Sequence, residues 1–221
     1  MPFVSRALLL FSMQTVSKTL RLIRKQAQSF TVPSVTEIAF AHDPYLVLIS
    51  CILSLRTKDK TTLEASRRLF AVADNPKAMS KLSKSLLQKL IYPVGFYHTK
   101  APQLKTIAQY LTKNSMPQTR EGLMAFKGVG RKTANVVLGN AFQIPGLVVD
   151  THVIRLSNRM GLARGQDAVD LEKQLQKIIP ENQWTLFGHL FISHGRAVCS
   201  ARKPKCETCF LKDHCPQKGV K

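Results

Sequence analysis

Acidic side chains are scarce in this chain. Its 221 residues carry 13 Asp and Glu against 33 Lys and Arg, a formal net charge of +20. A surface that positive attracts polyanions, and nucleic acid is the expected partner. Residues 1–36 contain no acid at all, while Arg6, Lys18, Arg21, Arg24 and Lys25 fall there. That start admits a transit peptide, but "RALLLF" is too short for a secretory hydrophobic region. A short N-terminal extension on a basic DNA-binding protein, residues 1–16, is the reading preferred here. No apolar run approaches the ~20 residues a membrane span needs. Alternating apolar and polar segments are rare, which argues against a sheet, and neither low-complexity stretches nor long-period repeats occur. At 44% hydrophobic and 21% charged residues, the chain is nevertheless able to build a core.

What is present is helical periodicity. "SKTLRLIRKQAQSF", "TTLEASRRLFAVA", "SKSLLQKLIYPV" and "APQLKTIAQYLTKN" place apolar residues at steps of three and four. "PYLVLISCILSL" is more continuously apolar, and its length favours a central helix over a buried strand. The expected fold class is all-α. The breaker pair Pro145–Gly146 marks a crossing between two lobes.

Three stretches carry chemistry. In "FKGVGRKTANVV", two short helices (about residues 119–139) flank a Gly-x-Gly turn formed by Gly128, Val129 and Gly130. Glycine permits positive φ and close approach of backbone to a ligand, and amides at the next helix start grip a phosphate. Lys127 and Arg131 add cations beside it. Lys132 then sits where a helix presents its positive end, which mildly disfavours a cation. A solvated lysine is the ordinary explanation. A lysine that loses its proton easily is the alternative, since a helix N-terminus and neighbouring cations lower its pKa and the apolar run suggests partial burial. Asp150, at the start of "DTHVIRLSNR", is a favoured N-cap, and a carboxylate held that way can also stabilise a sugar cation or move a proton. Finally, four of the five cysteines crowd the C-terminus as Cys199-x6-Cys206-x2-Cys209-x5-Cys215. Four thiolates in so short a span indicate a metal site in a reducing compartment, suited to zinc or to a [4Fe–4S] cluster. Arg202, Lys203 and Lys205 occupy the loop between the first two. Cys51, in "LISCIL", reads as a small buried hydrophobe.

Taken together and in this order, "KGVGRKTANVV", "VVDTHVIRLSNR" and the cysteine tail resemble the endonuclease III family of helix–hairpin–helix DNA glycosylases and apurinic/apyrimidinic lyases, from about residue 17 onward. The resemblance implies a two-lobed, all-α enzyme that holds double-stranded DNA between its lobes. One is a helical barrel over residues 37–144; the other joins residues 17–36 to 145–221 around a [4Fe–4S] cluster. It implies cluster ligation by Cys199, Cys206, Cys209 and Cys215, nucleophilic attack by Lys132 on the sugar of a flipped, oxidised pyrimidine nucleotide, assistance from Asp150, and β-elimination 3′ of the abasic site. DNA contacts are expected from Arg56, Phe96, His152, the hairpin residues and the basic cysteine loop. Arg56 stands where the family often has glutamine, and Phe96 where an aliphatic wedge is common; Lys127 replaces a frequent proline. The enzyme is expected to act as a monomer in the cytoplasm, at the bacterial nucleoid, with organellar targeting the other option. Two rival readings are a monofunctional mismatch glycosylase, which Lys132 argues against, and a non-catalytic, metal-stapled DNA-binding protein.

Overall fold

The structure, a computed structural model, describes residues 6–28 and 43–220, with side chains from residue 14 onward. Eleven α-helices and three short 3-10 turns occur among the described residues, with no strand. The helices are α1 (Arg6–Ala27), α2 (Pro44–Ser54), α3 (Asp59–Phe70), α4 (Pro76–Lys81), α5 (Lys84–Ile91), α6 (Tyr97–Leu111), α7 (Arg120–Met124), α8 (Arg131–Ala141), α9 (Thr151–Met160), α10 (Ala168–Gln176) and α11 (Trp184–Ala197). The chain divides into two compact units. One contains α2 to α8 and ends at Ile144; the other brings α1 together with everything from Pro145 onward. The expected boundary near residues 36 and 37 lies outside the described residues.

The α2–α8 unit is organised around α2. Asp43 caps it, its carboxylate accepting from the amides of Tyr45 (2.8 Å) and Leu46 (3.2 Å). Pro44 takes the first helical position, where a missing N–H is harmless. Val47, Leu48, Ile49, Ile52 and Leu53 are all fully buried, so α2 is apolar on every side rather than on one stripe. Burial of each large aliphatic side chain contributes about 1.5–3 kcal/mol. Helices α3, α6 and α8 pack around this axis. Cys51 belongs to the same core at 4% exposure, as the sequence suggests.

In the other unit, α1 lays Val16, Leu20 and Ile23 against the same core as Val153, Leu156 and Met160 of α9 and Phe187 and Phe191 of α11. The two phenylalanine rings stack with centroids 3.9 Å apart. Here the structure differs from the sequence reading of an N-terminal extension. Helix α1 begins at Arg6, inside residues 1–16, and Val16 is fully buried. The scarcity of acids in that stretch reflects charge, and it does not interrupt the helical periodicity.

Candidate active site and metal centre

Helices α7 and α8 form a hairpin. Thr119 caps α7 through its hydroxyl, which accepts from Gly122 N at 3.1 Å. After α7 the chain turns through Lys127 and Gly128, and Gly128 is left-handed at φ 82°. A Cβ there would collide with the Gln103 side-chain amide, which donates to the Lys127 carbonyl. The dihedral is what calls for glycine, since the far end of the Gln103 side chain can move aside. Val129 is 5% exposed, and its amide donates to Phe126 O at 3.0 Å. The side chain thus anchors the turn in the core, and a contact from Val129 to DNA would come from its backbone. Gly130 forms the N-cap of α8 and has no side chain to satisfy the first-turn amides. A Cβ on it would meet nothing within 4 Å, so the backbone there borders open space. Lys127 is exposed and Arg131 half-buried at its rim.

Lys132 occupies the first turn of α8, as the spacing predicts, but it is exposed. The expectation of partial burial fails for a geometric reason. Thr133, Ala134, Asn135, Val137 and Leu138 take the inward face, and position 132 falls outside that arc. Its charge still reaches inward: it pulls down the pKa of the Cys51 thiol, which burial pushes up to about 12.

Asp150 is the N-cap of α9 on the other unit. One carboxylate oxygen, Oδ1, accepts from His152 N at 2.8 Å and from Val153 N at 3.1 Å. His152 follows, half-buried, with Arg155 donating to its Nδ1 at 3.0 Å. Burial lowers the His152 pKa, against the opposing pull of Asp150.

Arg56 and Phe96 lie on the α2–α8 unit, in the turns before α3 and α6. Both are exposed and both are left-handed, at φ 51° and 59°. That conformation costs a non-glycine residue about 1–2 kcal/mol. The Arg56 guanidinium carbon lies 5.6 Å from the centre of the Phe96 ring, a cation–π distance.

The four C-terminal cysteines line one cavity, backed by Leu156, Met160 and Leu211. Four thiols around one cavity suit a polynuclear cluster that takes one thiolate at each corner. Donors surround the sulfurs: Leu211 N lies 3.4 Å from Cys209 Sγ and Arg159 Nη1 3.2 Å from Cys199 Sγ. The basic loop is tied down from α9. Arg159 donates to the carbonyls of Ser200 (2.7 Å) and Ala201 (2.9 Å). Arg155 donates to Cys199 O at 3.0 Å and Gly195 O at 2.8 Å. Arg202, Lys203 and Lys205 remain exposed on that loop. Gln26 of α1 completes the support, bonding to Thr208 O and Phe210 N. Sequence reasoning missed Arg155, Arg159 and Gln26. The i, i+4 spacing of the two arginines in "VIRLSNR" was their one visible signal.

This helical architecture, with its glycine hairpin and thiol-lined cavity, matches a defined class. The family model of the HhH-GPD superfamily base excision DNA repair proteins covers residues 49–181. The iron–sulfur binding domain of endonuclease III covers residues 199–215. Endonuclease III of Thermotoga maritima is 41% identical over 176 residues, spanning 78% of this chain and 83% of its own. That of Escherichia coli K12 is 36% identical over 205 residues, spanning 91% and 96%. A solved non-covalent endonuclease III–DNA complex superposes with a TM-score of 0.79 at 31% identity, over 93% of this chain and 95% of that one. A trapped endonuclease III–DNA covalent intermediate matches equally well, also with a TM-score of 0.79 and 31% identity, over 93% of this chain and 96% of that one. The chain belongs to the endonuclease III family. It is a base excision repair DNA glycosylase with abasic-site lyase activity, and its cofactor is a [4Fe–4S] cluster.

Proposed function

We propose that Lys132 is the nucleophile of this enzyme and that duplex DNA carrying oxidised pyrimidines is its substrate. The single observation that carries the reading is the first turn of α8. There an exposed amine shares a helix start with amides that Gly130 has no side chain to cap. Such amides hold a phosphate, and the amine beside them then meets the sugar of the same strand. The Lys132 nitrogen attacks C1′ of an extruded nucleotide, and the C1′–N bond breaks with its electrons leaving on the base. Ring opening gives a protonated imine. Loss of a C2′ proton then expels the 3′ phosphate.

Asp150 stabilises the positive charge that develops on the sugar and helps to move the protons. Arg56 and Phe96 enter the gap left by the extruded nucleotide, which costs a few kcal/mol to open and less at a damaged pair. Lys127, Gly128, Gly130, Arg131 and His152, with Arg202, Lys203 and Lys205 of the cysteine loop, contact the strand backbone. Cys199, Cys206, Cys209 and Cys215 would hold the cluster, which would supply a structural, charged centre to that loop. The enzyme acts as a monomer, where bacterial DNA lies.

Borohydride reduction of the imine tests the assignment. Wild-type protein should yield a covalent adduct with abasic DNA and Lys132→Gln none. An adduct formed equally by Lys132→Gln moves the nucleophile elsewhere, and no adduct from either protein leaves a DNA-binding protein without lyase chemistry.

A further inference from the structure

One charged group in the α2–α8 unit has no part in the chemistry above. Lys100 of α6 is 5% exposed. Its ammonium meets oxygens from one short stretch of chain: Leu55 O at 2.6 Å, Leu53 O at 3.0 Å and Thr57 Oγ1 at 3.4 Å. The first two are carbonyls at the C-terminus of α2, which lack helical partners and carry the negative end of its dipole. Burial alone lowers the Lys100 pKa, to about 8. Burying an ammonium costs free energy that an apolar side chain of similar size avoids.

The position of these contacts explains the expense. The residues that Lys100 holds bracket Arg56 on both sides. Lys100 itself lies four residues after Phe96, in the first turn of α6. A second tie joins the same two turns, since Gly95 N donates to Thr57 Oγ1 at 3.1 Å. The backbones press together there, and a Cβ on Gly95 would collide with the Arg56 carbonyl. Two left-handed non-glycine residues thus stand side by side, each in a conformation that persists only where its surroundings over-determine it. We propose that Lys100 is a positioning residue for strand penetration: by tying the turn after α2 to the turn before α6, it fixes Arg56 and Phe96 as one two-pronged wedge.

The inference rests on the wedge reading of Arg56 and Phe96. Without the ammonium, the Arg56 turn relaxes toward the right-handed region and the prongs separate. The wedge then has to be ordered during penetration rather than before it.

The test is the rate at which a 2-aminopurine beside a base-paired lesion unstacks on mixing with holoenzyme. Lys100→Met should slow unstacking about tenfold, the effect of losing about one hydrogen bond to a charged group. The loss should shrink on an abasic site in single-stranded DNA, which has no stack to penetrate. Gly95→Ala, which keeps the lysine and displaces the Arg56 carbonyl, should reproduce the defect and serves if Lys100→Met does not fold. In an Arg56→Ala/Phe96→Ala background, Lys100→Met should add nothing. Lys100→Met protein that melts earlier yet unstacks DNA at the wild-type rate makes Lys100 a helix cap only and overturns the inference. A further slowing in the wedge-less background overturns it as well. Normal unstacking by Arg56→Ala/Phe96→Ala itself overturns the wedge reading first, whatever Lys100 does.

Discussion

The two units are both helical, yet they are held together by different means. The α2–α8 unit is one continuous run of chain around a helix whose core residues Val47, Leu48, Ile49, Ile52 and Leu53 are all at 0% exposure. The unit built from α1 and α9–α11 is assembled from the two ends of the chain. Its core contains partly buried cysteines, and arginines donate into the carbonyls of an irregular loop. Apolar burial is non-directional and close to proportional to area, so the first unit needs only periodicity and volume. Hydrogen bonds to a loop add little net stability unless every partner is in place, and the thiols contribute fully only when ligated. The first unit is therefore expected to hold without a cofactor, and the cysteine loop of the second to depend on its cluster.

The largest expected effect tests that difference directly. Stripping the cluster with an iron chelator under oxidising conditions should remove hydrogen-exchange protection from α9, α11 and residues 199–215, while α2, α6 and α8 stay protected. Equal loss in both units contradicts the division of stabilising forces. A second perturbation runs the other way. Ile52→Ala should cost about 2–5 kcal/mol in denaturant unfolding, because a fully buried helix residue in a closed core leaves a cavity. The visible absorbance of the cluster should stay unchanged under native conditions. A cluster lost on this substitution, at temperatures where the protein remains folded, means that the units are not independent.

The same contrast governs what the amino-acid sequence reveals. Helix α2 is legible because its length and unbroken hydrophobicity are local properties. The cysteine tail is legible because ligand spacing is local, and so is the Gly128–Val129–Gly130 turn. Contacts that join distant segments are not local. Gln26 bonds to Thr208, 182 residues on, and Lys100 reaches Leu53, 47 residues back. No periodicity encodes such pairs, because each joins one helix surface to an irregular stretch of backbone. Lys132 is an intermediate case: its place in the first turn of α8 follows from the glycines, whereas its exposure depends on which arc of that helix faces α2. Arg155 and Arg159 share a face of α9 by spacing alone, but nothing in "VIRLSNR" says that the face meets a cysteine loop.

The smallest effect on stability separates structure from chemistry at one residue. Asp150 caps α9 through Oδ1, with amide contacts of 2.8 and 3.1 Å. Asparagine is about as good an N-cap as aspartate, and its side-chain oxygen accepts the same two bonds. Losing the charge weakens its interaction with the positive end of α9, worth about 0.3–1 kcal/mol. Asp150→Asn should therefore shift unfolding by no more than about 1 kcal/mol, an order of magnitude set by that dipole term. Borohydride-trapped adduct should nevertheless form at least tenfold more slowly, because a neutral amide does not balance a developing sugar cation or carry a proton. The His152 pKa, which Asp150 holds up against burial, should fall further in the variant, as NMR titration of the imidazole reads. An Asp150→Asn protein that traps DNA at the wild-type rate reduces Asp150 to a cap. One that loses several kcal/mol of stability makes any loss of activity uninterpretable as chemistry and puts the burden on Asp150→Ser, which keeps a capping oxygen on a shorter side chain.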